Sequence, residues 1–168
     1  MRISDAFLPE VDQEMAQTRK TLARIPDDKF SYKPHEKSME MGALGLHIAM
    51  MTGWGADTLK SDNFDVAPVD GPAYQMPTAK TTAEVLALFD ENAAAFRSAL
   101  AAAENEAMMK QWSLLNGGTP IFTMPRAAVI RGMILNHLVH HRGQLTVYLR
   151  LNNVPVPALY GPSADEQN

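Results

Sequence analysis

One helical pattern, running without a break from Pro125 to Leu151, constrains this chain more than any other feature. Pro125 suits the first position of a helix, where a missing N–H costs little, with Met124 or Thr123 near the cap. Ala127, Ile130, Ile134, His137, His141, Leu145 and Tyr148 then recur three and four apart, which is one face of a helix. Asn152-Asn153 ends the pattern, and Pro155 and Pro157 prevent its continuation. About 27 residues at 1.5 Å each make a rod of about 40 Å. A rod with one apolar stripe needs partners of comparable length to cover it.

Three such partners are legible upstream. From about Leu8 to Ala23, a seam of Leu8, Val11, Met15, Thr18, Leu22 and Ile25 predicts a first helix, with Pro9 in its first turn and Pro26 at its end. Ser38 is the expected cap of a second helix, with Glu40 in its first turn. Leu44, His47, Met51 and Trp54 share one of its faces, and Gly53 and Gly55 weaken its far end. Thr81 and Glu84 form a capping-box pattern before the stripe Val85, Phe89, Phe96, Leu100 and Ala103, which fades between Glu104 and Met109.

Between these helices the reading is irregular. Ser61–Lys80, with Pro68, Gly71, Pro72 and Pro77, reads as a long surface loop of the kind that covers a pocket. Trp112–Leu115 and Pro120–Thr123 flank Asn116-Gly117-Gly118-Thr119 and predict a short hairpin. Asn-Gly supplies the positive φ angles, and Pro120 marks an edge arm. The tail after Leu151 carries Leu159 and Tyr160 as apolar anchors that dock on the bundle. The expected class is therefore all-α: a four-helix bundle with a β-hairpin before the last long helix, in one domain over residues 1–168.

The net charge of −4 and the scattered basic residues exclude a large phosphate-binding surface, so neither nucleic acid nor an anionic membrane is an expected partner. Without cysteine the chain has no disulfide, no thiolate ligand and no cysteine nucleophile. Met1–Asp5 has no apolar signal core, and no stretch approaches a membrane span. The expected location is the cytoplasm.

The chemistry lies in Asn136–Gln144, with histidines at 137, 140 and 141. His137 and His141 are one helical turn apart on one face, a spacing at which two imidazoles reach one metal ion. The seam through both is otherwise apolar. The alternative through His140 passes Met133, Gln144 and Val147 and is more polar, so His140 is expected toward the edge. Two neutral imidazoles in an apolar seam each need a donor and an acceptor satisfied, and a shared cation satisfies one nitrogen of each. His47, between Leu44 and Met51, reads alone as a helix-packing histidine. Beside the pair it becomes a third ligand, leaving open positions as in a catalytic site. Glu14 is a possible supporting group that nothing marks out. The many methionines around His47 read as adaptable core filling. Arg142 and Arg150 read as favouring the dipole at the helix C-terminus.

Asn136–Leu145 resembles the signature of the DinB/YfiT-like superfamily. Tyr32–Met39, leading to Leu44 and His47, resembles its first block, and Val154–Ser163 resembles the tail of one branch. The resemblance implies a four-helix bundle, usually a homodimer, with one divalent metal ion, commonly zinc or nickel. It places the ligands on His47, His137 and the histidine directly before Arg-Gly-Gln, which is His141. Among such proteins are transferases that use low-molecular-weight thiols. The implied activity is metal-dependent activation of a thiol or water against a small electrophile, as in a thiol S-transferase or a hydrolase. The alternative is a non-catalytic, metal-stabilised dimer with a binding or stress-response role. No residue stands out as a catalytic base.

Overall fold

The computed structural model describes residues 1–71 and 75–167. Its helices are α1 (Ile3–Leu22), α2 (Met41–Lys60), α3 (Thr82–Ala102), the short α4 (Asn105–Met109), α5 (Arg126–Val129) and α6 (His137–Leu151). Between α5 and α6 the backbone continues as a π-helical segment, Ile130–Asn136. The last long helix is therefore one rod with a widened middle. α2 packs on α3, α3 on α1, α1 on α6 and α6 on α2, closing the four-helix ring. Its interior holds Val11, Leu22, Leu44, Ile48, Met51, Phe89, Phe96, Leu100, Ile134, Leu138 and Leu145.

Local sequence explains most of the helix ends. Thr81 Oγ1 accepts from the Glu84 amide at 3.2 Å, and the Glu84 carboxylate accepts from the Thr81 amide at 3.3 Å, the expected capping box. α1 begins five residues earlier than the apolar seam implied, because Asp5 accepts from the Arg2 amide at 2.9 Å and ties the first turn. Pro9 consequently lies inside α1 rather than in its first turn, and the ladder loses one hydrogen bond there. α2 starts at Met41, not at Ser38. Its first amides are taken by the loop before it, Met41 N–H by the Tyr32 carbonyl and Gly42 N–H by that of Phe30, both at 2.9 Å. Gly55 does not end the helix. It admits α3, since a Cβ there would lie 2.6 Å from the Phe96 ring.

The connection after α2 is more ordered than a surface loop. Asn63–Asp65 forms a strand, β1, which pairs in parallel with β2 (Gln111–Asn116), and β2 pairs antiparallel with β3 (Thr119–Pro125). Pro72, part of that expected loop, lies outside the described residues. The reason for β1 is Asp65. Its carboxylate accepts from the amides of Gly117 at 3.0 Å and Gly118 at 2.7 Å and so holds the hairpin turn. The positive φ angles belong to Gly117 (+59°) and Gly118 (+78°), while Asn116 pairs with Thr119 as the last ladder residue. Pro120 lies on the edge strand β3, as its missing N–H predicts. Pro125 is the last residue of β3 and caps α5 instead of opening it. Arg126, almost fully buried, ties the junction between α2 and β1 to the start of the last helix through the Ser61 carbonyl at 2.7 Å and Asp62 at 2.9 Å.

The tail docks along α1 and α6. Gln17 donates to the Leu159 carbonyl at 2.8 Å, Arg150 pairs with Asp165 at 2.6 Å, and Arg24 pairs with Glu166. No helix among the described residues is long and apolar enough to cross a membrane.

Candidate metal centre

α2 and α6 carry the histidines to one place. Along α6 the apolar seam holds: Ile130, Ile134, Leu145 and Tyr148 are buried, His137 and His141 are half-buried, and His140 is exposed. His47 projects from α2 against both. Its ring centre lies 4.7 Å from that of His141 and 5.5 Å from that of His137. One ring nitrogen from each of His47, His137 and His141 lies within 4.8 Å of the others. The Nε2 atoms of His137 and His141 are 2.9 Å apart. Two imidazole ligands of a tetrahedral zinc ion, with Zn–N near 2.0–2.1 Å, hold their nitrogens about 3.3 Å apart. The pair is thus spaced within a few tenths of an ångström of what such an ion requires, and the three-nitrogen donor set suits a divalent transition metal.

The environment keeps these rings neutral, which leaves lone pairs free to bind a cation. Burial, reinforced by His141 and His137, pushes His47 down to about 4. Burial also lowers His137, against the raising influence of the Met133 carbonyl, and lowers His141, against the raising effect of its hydrogen bond to the Gln144 amide oxygen.

Gln144, which the sequence places on the polar stripe beside His140, stands against the histidines. Its Oε1 lies 2.7 Å from His141 Nδ1, and its Nε2 lies 3.1 Å from His140 Nε2. If Nδ1 of His141 donates to the amide oxygen, Nε2 is left as the acceptor facing His137, and the amide N–H donates onward to His140. This orients the ligand ring and fixes its tautomer. The signal that would have found it is its position three residues after His141, one turn further along the same helix. His140 thus supports Gln144 and stands outside the triad.

Glu14 belongs elsewhere. Its carboxylate pairs with Arg142 at 2.7 Å and accepts from the Tyr160 hydroxyl at 2.8–2.9 Å. Arg142 is 1% exposed, so it is no surface partner of the helix dipole. It also donates to the Glu14 carbonyl at 3.2 Å, to Thr18 Oγ1 at 3.1 Å and to the Tyr160 hydroxyl.

Two spaces open on the histidines. Beside His137 lies an apolar cavity of about 240 Å³ between α2, the sheet and the π segment. Beside His141 lies a more polar groove bordered by Lys37, Ser38, Gln144 and Tyr148. The π segment ends directly before His137, and π turns are frequent at functional sites.

The sequence profile of the DinB family matches residues 2–168. The uncharacterised protein YrdA of Bacillus subtilis (strain 168) is 24% identical over 162 residues, covering 96% of this chain and 90% of its own length. The crystal structure of a DinB-like protein from Bacillus cereus ATCC 10987 superposes with a TM-score of 0.72 at 21% identity, over 93% of this chain and 97% of that one. The DinB-like protein YjoA of Bacillus subtilis superposes with a TM-score of 0.69 at 20% identity, over 97% and 99%. At such identities the structural likeness speaks to the fold.

Proposed function

We propose that this chain, which belongs to the DinB family, is a metal-dependent enzyme in which His47, His137 and His141 hold one divalent ion, and in which a thiol or a water attacks a small electrophile beside them. The observation that carries the reading is the convergence of three neutral imidazoles on one point with open space on two sides. A closed structural site has no use for such space. His47, His137 and His141 would hold the divalent cation, which would lower the pKa of a thiol or water brought to it and so make a nucleophile available near neutral pH. The chain's own residues do the rest. Gln144 holds His141 in one orientation. The groove at Lys37 and Gln144 gives a polar approach beside His141, and the cavity gives an apolar space beside His137. A thiol comes from solution as a low-molecular-weight compound, because the chain has no cysteine. A homodimer is part of the same reading. Leu151, over half exposed at the end of α6, offers part of a surface for a second copy, and sedimentation equilibrium reads the mass directly.

The metal assignment is tested by elemental analysis of the purified protein and of His137→Ala and His141→Ala. Both variants should lose the ion, and retention in both refutes the site. For the reaction, thermal shift of the metal-loaded protein against a panel of low-molecular-weight thiols should show stabilisation by at least one. A flat response across the panel removes the thiol and leaves water as the nucleophile.

A further inference from the structure

The cavity beside His137 has a chemistry of its own. Its walls include Trp54 from α2, Phe64 from β1, Trp112 and Leu114 from β2, Phe122 from β3 and Met133 from the π segment. Among its described walls the polar side-chain atoms are the Thr58 hydroxyl, the His137 ring nitrogens and the indole N–H groups of Trp54 and Trp112, and none carries a formal charge. Thr58 has already donated its hydroxyl to the Trp54 carbonyl at 2.8 Å. A charged group placed here would lose its hydration and find no opposite charge among the described walls, only the weaker attraction of ring faces and neutral polar atoms. Four of the walls are aromatic, and Trp112 and Phe122 stand with ring centres 6.1 Å apart, tilted by 42°. Such walls present both faces and edges to an inserted ring. An apolar cavity of about 150 Å³ stays dry and accepts benzene. At about 240 Å³ this one has room for a six-membered ring with a short substituent. Folding forgoes dispersion contacts to keep that space open, although Thr58 and Val129 in its wall are small enough to be replaced by larger residues.

His137 is the one described wall residue that the cavity shares with the metal centre. A molecule seated against that wall has one end beside the three histidines and the rest among the apolar side chains. We propose that this cavity binds a neutral aromatic ring, and that the electrophile is a single-ring aromatic compound carrying its reactive group on a short substituent. The ring-binding claim stands on the cavity alone. Its description as part of the substrate rests on the function proposed above.

The test is ¹⁹F NMR titration of zinc-loaded protein with 4-fluorobenzyl alcohol and with its cationic counterpart, 4-fluorobenzylammonium. The alcohol should bind saturably and the ammonium at least about tenfold more weakly, since only the second must be desolvated as an ion. Met133→Trp fills the cavity from the π segment, and Leu114→Trp fills it from the sheet. Each should weaken alcohol binding at least about tenfold while elemental analysis still finds zinc. Phe122→Ala enlarges the space and should improve binding of 1-fluoronaphthalene relative to the alcohol. The proposal is overturned if the alcohol does not saturate, if the ammonium binds equally well, or if both filled variants bind as the parent does. Zinc retention without ring binding refutes the cavity and leaves the metal reading intact. Ring binding by a protein that takes up no zinc does the reverse.

Discussion

His141 and Arg142 are neighbours in the chain, yet they enter two different kinds of polar interior. Arg142 meets a finished set of partners: Glu14, Thr18 and the Tyr160 hydroxyl, with the ion pair buried on both sides. His141 meets other imidazoles, each an uncharged group with a lone pair to share. The first cluster neutralises its own charge. The second converges donors on a point without supplying the charge that would satisfy them. Buried polarity that closes on itself holds a fold together. Buried polarity left facing a common point provides for something that arrives from outside.

That contrast can be broken in order of expected effect. Arg142→Met alone strands the Glu14 carboxylate, so it should cost about 3–5 kcal/mol in urea unfolding. Glu14→Leu added to it should restore much of that loss, because two apolar side chains replace two charges. If the single and the double variant are equally unstable, the pair is not what Arg142 contributes. Gln144→Leu should leave folding nearly unchanged and weaken zinc binding about 10–100-fold in competition titrations with a chelator, the usual effect of losing the group that orients a ligand. Unchanged affinity would reduce Gln144 to a surface residue.

A subtler effect is the response to acid. In the unfolded chain histidine titrates near 6.5, whereas folded His47 titrates at about 4. Between those values the unfolded state binds more protons, so stability rises with pH across that window. Metal-free protein should be at full stability above pH 6.5 and lose stability steadily toward pH 4. Denaturation midpoints taken across the range check this, and a flat profile would place His47 in water. His140→Ala should have the smallest effect of all. It removes one hydrogen bond to Gln144 and no ligand, so zinc remains bound.

The parts of this molecule that were legible in its sequence are those set by residues a few positions apart. The Thr81–Glu84 box and the seam carrying His137 and His141 are statements about one helical turn, and both hold. His47 read alone is a packing histidine and joins the set only beside the pair and, firmly, through the resemblance, since nothing within α2 says what α6 will place opposite. What escaped was long-range. β1 is three residues whose reason, Asp65, acts on a turn 52 residues away. Arg142 looked like a terminal charge because its partners lie on α1 and in the tail. The cavity takes walls from α2, the three strands and the last helix, so no single segment records it. Pro9 and Pro125 misled for the opposite reason. Proline's preference for a helix start is real, but Asp5 and the β3 ladder had already fixed where those helices begin.

The buried ion pair also sets a schedule. Glu14 lies 128 residues from Arg142 and 146 from Tyr160, the hydroxyl that completes its shell. During synthesis at 5–20 residues per second, α1 leaves the ribosome on the order of ten seconds before its partners exist. Until then the Glu14 carboxylate lacks the guanidinium and the hydroxyl that close its shell, while Asp5 and Asp12 of the same helix find Arg2 and Arg97 earlier. α1 can pack on α3 as soon as α3 is made, but its buried carboxylate is neutralised only when α6 and the tail follow.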